Sequence, residues 1–408
     1  MLSNVGCITA AKSGFTAKEM VMRFSSKWAI PLLIAGMLTA VWQVAAAPGP
    51  KNDPTADPAG PIVHEWGTFS TFSGSDGNNL QFYPYDNDLP EFVHGYLSRN
   101  SKAGPQGGTI SLETPVLYFY ADQPLTANVQ VEFPKGTMTE WYPNATRTEQ
   151  KLVWKGIHVG PKDKPELLKE EAKSRYYAAR ETDAAPLLVS YWKENLTHTE
   201  QEKFLFYRGV GDFAMPLTMR ARGDGKFNIH WDGKGPWGDL LLVQVQAGKI
   251  RFRQFGLDHK ADAEAGADVQ VPDQDATPEQ LSDAMVKLLI EKGLYEKEAR
   301  AMVKTWSDAW FNEEGTRVLY ILPERLTDEL LPLWVSPRPS ALLRVLVGRH
   351  DVLTPEREKR IDSLVSKLDK ETSTQDADKR VAQEEMAKLG RYASPAWTEA
   401  ETRLKNRR

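Results

Sequence analysis

The chain has 408 residues, with 51 Lys+Arg against 55 Asp+Glu for a formal net charge of −4, and a single cysteine. From Pro48 onward its 361 residues carry 47 basic against 54 acidic side chains, a net −7, which argues against nucleic acid or anionic lipid as the main partner. Cys7 lies ahead of the first apolar run, so the remainder has no thiol, disulfide or cysteine metal site, and it is long enough to bury one or two full cores without them.

The first predicted element, residues 1–47, is a signal peptide. Lys12, Lys18, Arg23 and Lys27 precede an apolar run over 28–44 that ends in Ala45-Ala46-Ala47, the order of charged, apolar and small residues that secretory signals share. Met20 or Met22 gives a better proportioned signal than Met1. An uncleaved anchor is the alternative, and the membrane is then a partner through this segment alone. The expected location is periplasmic or secreted. A proline-rich linker over 48–60 follows.

Residues 61–257 read as a β-rich body. Val129, Val131 and Phe133 alternate with Gln130 and Glu132, and Leu241, Val243 and Val245 with Leu242, Gln244 and Gln246; period two is the mark of antiparallel strands with one wet face. Arg222-Gly223-Asp224-Gly225 and Ala247-Gly248 read as hairpin turns, the second with its glycine in a bulge. One helix is predicted to interrupt the body over 165–180, on a stripe of Leu168, Ala172 and Tyr176.

After an acidic loop at 258–276, residues 258–350 combine an αα-hairpin with strands that complete the body. Thr277-Pro278-Glu279-Gln280 is a capping box ahead of the stripe Leu281, Ala284, Met285 and Leu288; Gly293 stops that helix, and a second runs over 295–311. Strands are expected at 317–322 and 342–347. Residues 351–408 form a helical tail, with helices at 354–368, 375–389 and 394–404. The fold class is α+β: a large antiparallel β-sandwich-like body with one inserted helix, an αα-hairpin and a C-terminal helical tail.

His64-Glu65-Trp66-Gly67-Thr68-Phe69, followed by Gly74-Ser75-Asp76-Gly77, is the densest cluster of functional residue types. On a strand, neighbours point to opposite faces, so His64 goes with Trp66 and Thr68, and Glu65 with Gly67 and Phe69. A buried Glu65 must be paired or have a raised pKa; it is the first catalytic candidate, against the alternative of a structural glutamate bonded to an arginine or backbone. Glu113 and Glu140 sit at a strand start and a strand end, where sites gather, and paired carboxylates suit glycosidic cleavage. Trp66, Trp141, Trp154, Trp192 and Trp231 offer flat faces to sugar rings, or packing to a β core. The seven histidines form no close ligand pair, so no metal site is assigned. Asp86-Asn87-Asp88 resembles the start of a calcium loop but lacks the glycine and glutamate that complete one. Arg180, Asp183 and Arg208 suggest a buried ion network, and Lys249, Arg251 and Arg253 share one strand face.

The His-Glu-Trp-Gly-Thr-Phe opening with Gly-Ser-Asp-Gly after it resembles a family of exported bacterial proteins of uncharacterised activity. The resemblance extends to Glu113-Thr114-Pro115-Val116-Leu117-Tyr118-Phe119-Tyr120, Thr139-Glu140-Trp141-Tyr142-Pro143, Phe206-Tyr207-Arg208-Gly209-Val210-Gly211 and Arg317-Val318-Leu319-Tyr320. It implies export and one common architecture, and adds no chemistry.

Two functions follow as expectations. One is an extracytoplasmic hydrolase or related enzyme on carbohydrate or cell-wall-like polymer, with Glu65 and Glu140 as acid and base, His64 and Arg208 orienting substrate, Trp66 and Trp141 as platform, and Asp76 and Glu113 as further binding residues. The other is a non-catalytic binding or structural module using the same aromatics. A small-molecule or polysaccharide ligand suits both; cofactor and oligomeric state are left open. A concave pocket holding two carboxylates within about 10 Å separates the enzyme from the binder.

Overall fold

The computed structural model describes residues 60–82, 88–95, 108–171, 173–233, 238–256, 265–368 and 375–406. The predicted signal peptide, and the linker as far as residue 59, lie outside them.

In chain order the strands are β1 Ile62–Ser73, β2 His94–Gly95, β3 Ile110–Tyr120, β4 Leu125–Glu132, β5 Gly136–Tyr142, β6 Thr146–Thr148, β7 Lys151–Val159, β8 Leu187–Lys193, β9 Leu196–Glu202, β10 Leu205–Gly211, β11 Leu217–Gly223, β12 Lys226–Trp231, β13 Asp239–Gln246, β14 Lys249–Gly256 and β15 Ala265–Gln270. Helices α1 Pro278–Glu291 and α2 Glu296–Ser307 follow, then β16 Gly315–Ile321, α3 Glu324–Leu330, β17 Leu333–Ser336 and β18 Ala341–Val352. The tail holds α4 Pro355–Leu368, α5 Gln375–Leu389 and α6 Ala393–Asn406. The protein is thus a mixed fold of mostly antiparallel sheets with a C-terminal helical part.

Nine strands make the central sheet, in the order β14-β13-β16-β18-β1-β3-β10-β5-β2. The two late strands expected to complete the body lie in its middle. β18 runs parallel to β1 while the other pairs are antiparallel, a departure from the expected all-antiparallel body. A parallel neighbour needs both faces covered, and both are. On the first face Val63, Phe69, Leu112, Tyr207 and Leu346 share an apolar cluster with Val129, Val131 and Trp154 of the sheet β17-β4-β7-β8-β9 and with Met219 and Ile229 of the sheet β11-β12-β15. On the second face Trp66, Val116, Tyr118, Val243, Leu319 and Val345 pack against Met285 and Leu289 of α1 and Met302 and Trp306 of α2. Alternating odd and even residues of β1 therefore serve two different cores.

Local signals account for several of these elements. Thr277 and Gln280 form the reciprocal capping box at the start of α1. Residues 222–225 close the β11–β12 hairpin with Asp224 at φ +51°. At 247–248 both turn residues take positive φ and Gln246 pairs directly with Lys249, so this is a two-residue turn rather than the expected bulge.

Two expectations fail. Of the helix at 165–180 only a 3-10 segment, Arg175–Arg180, forms. Upstream, the Tyr177 hydroxyl accepts from the Glu170 amide and the Arg180 guanidinium donates to the Leu168 carbonyl, so side chains take the backbone groups that a helix would have paired. Leu168 is exposed, and Ala172 lies outside the described residues. The acidic loop at 258–276 is in part β15, which pairs with β12; residues 257–264 lie outside the described residues.

Candidate functional site

The two faces of β1 give His64 and Glu65 separate fates. On the first face the Glu65 carboxylate accepts from the Tyr207 hydroxyl at 2.5 Å and from Arg344 Nε at 2.6 Å, with Glu65 and Arg344 in register on adjacent strands. All three side chains are buried. On the second face His64 Nδ1 lies 2.9 Å from Glu298 Oε2 on α2, and Glu298 also accepts from the Tyr120 hydroxyl and the Tyr295 amide, both at 2.8 Å. His64 thus has a glutamate partner, though not its sequence neighbour.

Further along the second face the lining changes from apolar to polar. Thr68 pairs in register with Glu113, and Ser70 with both Ser111 and Arg349, so these five side chains form one contiguous patch on β1, β3 and β18. A bulge shapes it. Between Trp66 and Thr68 β1 has one residue, Gly67, where β3 has two, Thr114 and Pro115. Thr114 takes φ +51°, and a Cβ on Gly67 would stand 2.8 Å from the Pro115 backbone. Glycine is therefore what lets β3 close over β1 here, and the bulge is where a central strand tolerates proline. On the far side of the bulge lies Arg208 of β10, itself in register with Glu140 of β5.

Arginines hold this patch together. Arg208 donates from both terminal nitrogens to Asp88, at 2.8 and 2.7 Å, and Arg175 joins them on the same carboxylate. Arg349 donates to Asp351 and to Glu313, each at 2.6 Å. Arg317 bonds Asp351 and the carbonyls of Ala309, Trp310 and Glu313, which ties β16 to the last turn after α2. From the tail, Arg391 donates to Glu113, and Tyr392 donates to Asp351 at 3.1 Å. Trp306 and Trp310 stack with centroids 6.0 Å apart, and the Arg175 guanidinium lies 4.2 Å from the Trp306 ring. Burial pushes the Glu113 carboxyl up, but Arg391, Arg175, Arg208 and Arg349 outweigh it and hold the group below the usual carboxylate range. Glu113 is an anion at neutral pH.

A set of polar atoms in this region is buried and has no hydrogen-bond partner among the described residues: Thr68 Oγ1, Ser70 Oγ, Ser111 Oγ, Glu113 Oε2, Arg208 Nε, Arg349 Nη1 and the indole nitrogens of Trp306 and Trp310. An orphaned buried group costs about 1–3 kcal/mol. Where such groups gather on neighbouring positions, ordered water or a ligand can meet them.

Of the residues singled out from sequence, Glu113, Arg208 and Glu140 come together on the second face. Glu65 does not join them. Glu140 shares the face of its register partner Arg208, whereas Glu65 reaches Tyr207, the neighbour of Arg208 that points the other way. An acid–base couple of Glu65 with Glu140 is therefore ruled out by strand alternation, and Glu65 has the arginine partner of the structural alternative. His64 lies on the site's face but four residues from Thr68, about 13 Å along the strand. Trp66, Trp154 and Trp231 are core side chains, while Trp192 is exposed. Trp141, half-buried, stands beside His94 at 6.2 Å and under Arg147. Asp76 serves its own turn, accepting from the Asn78 amide at 2.9 Å and side chain at 2.7 Å.

The expected network of Arg180, Asp183 and Arg208 divides. Arg180 binds Glu202, Arg208 binds Asp88, and Asp183 meets Lys297 at the surface. Asp88, from the calcium-like triplet, is committed to guanidiniums; Asp86 and Asn87 lie outside the described residues. Lys249 and Arg251 share Asp275. Sequence reasoning missed Arg349, Asp351, Arg391, Trp306 and Trp310, and took Asp88 only as part of the calcium-like triplet. The available signal was a charge inside an apolar strand run, as in Leu-Arg-Val-Leu-Val-Gly-Arg-His-Asp over 343–351. Compared with known proteins, the chain matches no protein-family model and no curated protein.

Proposed function

We propose that this is an exported protein that hydrolyses a carbohydrate or cell-wall-like polymer, with Glu113 as base and Glu140 as acid on either side of Arg208. The observation that carries the reading is the run of unpartnered polar atoms around Glu113. β3 and β5 are separated by β10, so their backbones are about 10 Å apart. That spacing suits the carboxylate separation of roughly 6.5–9.5 Å used in inverting glycoside hydrolysis, which leaves room for a water. Glu113, held ionised by its arginines, can accept a proton from that water through its unbonded oxygen. Glu140 is partly exposed beside its register partner Arg208, where a leaving group can depart.

The test uses purified mature protein and end-labelled oligosaccharides and peptidoglycan fragments. Glu113→Gln and Glu140→Gln are each expected to slow turnover by roughly 10²–10⁴-fold, with the product released in inverted anomeric form. The rival reading, a binding module without turnover, is favoured by the bond from Arg391 to Glu113. Saturable binding of a fragment that none of the panel's assays shows to be cut would select it.

Export rests on the sequence and on the family resemblance. Mass spectrometry of the protein from its native cell should find a mature N-terminus close to Ala47 or Pro48. Membrane-bound protein that retains residues 28–44 would replace this with the anchored form.

A further inference from the structure

We infer that the cavity between the end of the central sheet and the helical tail is a binding site for a short basic peptide. Neither Glu113 nor Glu140 lines this cavity, and the inference does not depend on the hydrolase reading.

The cavity holds about 480 Å³, within the range of roughly 300–1,000 Å³ that small-ligand sites occupy. The ends of β1, β13 and β18 give it an apolar floor of Phe72, Val245, Val352 and Leu353, and Leu389 and Tyr392 of the tail face them. Charge in the lining is unequal, with three arginines against six carboxylates. The arginines are already matched: Arg251 pairs with Asp275 at 3.0 Å, and Arg357 and Arg360 both approach Glu385, at 3.7 and 3.9 Å. Of the carboxylates, Asp351 is held by Arg317 and Arg349. Asp224, Asp273, Glu314 and Glu356 remain, with no cationic partner among the described residues. An anion entering here meets four like charges and no free cation, whereas a cation meets four unmatched carboxylates.

These carboxylates belong to four segments: the β11–β12 turn, the stretch after β15, the residue before β16 and the first turn of α4. Among the described residues no group of three or more acidic or histidine side chains could hold a metal ion, so the complementary cation is an organic one long enough to reach more than one segment. The apolar floor suits the methylene stem of a lysine, which packs while its ammonium stays at the rim. Three amides complete the lining. Gln246 and Gln270 have no side-chain hydrogen-bond partner among the described residues, and Gln244 uses only its nitrogen, on Thr316 Oγ1 at 3.3 Å. An amide both donates and accepts, and a peptide backbone presents the same two functions in return. A plain polyamine has no acceptor to offer them.

The full mature chain is titrated with trilysine, trialanine, triglutamate and spermidine, and binding is read by melting temperature and calorimetry. Trilysine is expected to bind saturably and raise the melting temperature, with an affinity that falls as salt is added. Trialanine should bind about 10-fold more weakly, and triglutamate should leave the protein unchanged. Asp224→Asn and Asp273→Asn alter exposed side chains, so the ligand-free melting temperature should stay close to that of the wild type. Each should weaken trilysine binding about 3-fold, the scale of a partly exposed ion pair. Leu389→Trp fills the cavity and should weaken it further; if this variant melts early, the two asparagine variants carry the test. Spermidine binding as tightly as trilysine would show that charge alone holds the ligand and would overturn the peptide assignment. Trilysine binding that none of the three variants weakens, binding of triglutamate, or no binding of any probe would overturn the site itself.

Discussion

Replacing Glu65 by glutamine is expected to cost about 3–5 kcal/mol of folding stability. The change keeps the volume and leaves an oxygen for the Tyr207 hydroxyl, but it removes the charge that faces Arg344 in the core. Arg344 retains Asp328, whose side chain is 57% exposed and holds the other end of the guanidinium at 2.8 Å. An exposed partner of that kind contributes about 0–1 kcal/mol, too little to replace a fully buried one. With about 2.1 cal/mol/K of unfolding entropy per residue, a unit of this length should lose roughly 4–7 °C in melting temperature. Asp328→Asn is the control and should move it by about 1 °C. If Glu65→Gln melts like the wild type, the ion pair is not structural, and Glu65 returns as a candidate for chemistry.

What the sequence made legible was local. Alternation along His64-Glu65-Trp66 assigned these side chains to opposite faces; the Thr277 capping box and the Asp-Gly turn at 224–225 each announced an element boundary, because a cap or a left-handed turn is chosen by the residues that form it. The helix at 165–180 was misread since three apolar residues at intervals of four set a stripe but give it little to pack, and arginine and tyrosine side chains offered the backbone other partners. Strand order was not legible. The neighbour of β1 on one side is β18, whose residues lie 279 positions later in register, and no periodicity within either strand encodes that choice. The candidate site depends on such choices: Glu113, Arg208 and Glu140 meet because β10 threads between β3 and β5, and bulges on β3 and β5 set which residues share a face. The sequence named Glu113 and Glu140 for a strand start and a strand end, although Glu113 is the fourth residue of β3, and Arg208 for a buried ion network and substrate orientation, but their conjunction is a property of the sheet.

A second large effect is expected from acid. His350 is buried on the first face of β18, its ring nitrogens 2.8 Å from Thr71 Oγ1 and 3.0 Å from Ser73 Oγ. Burial pushes its pKa down from 6.5 to about 4, and the neighbouring Asp351 carboxylate only partly opposes this. The unfolded chain takes up this proton near pH 6.5 and the folded protein only near pH 4, so between those values the unfolded state binds more protons. Stability from this residue is therefore complete above about pH 6.5 and falls as the pH drops toward 4, by about 3 kcal/mol in all. The carboxyl groups of Glu113 and Asp351, both held low against burial by the arginines around them, add their own loss at lower pH still, because they must be protonated as the protein unfolds there. Equilibrium unfolding in urea at half-unit steps from pH 7 to 2 resolves the two regimes. His350→Gln can still hydrogen-bond a hydroxyl but carries no titrating proton, so it should lower stability at pH 7 and flatten the slope between pH 6.5 and 4. A variant that keeps the full wild-type slope over that interval would place the acid sensitivity in another group.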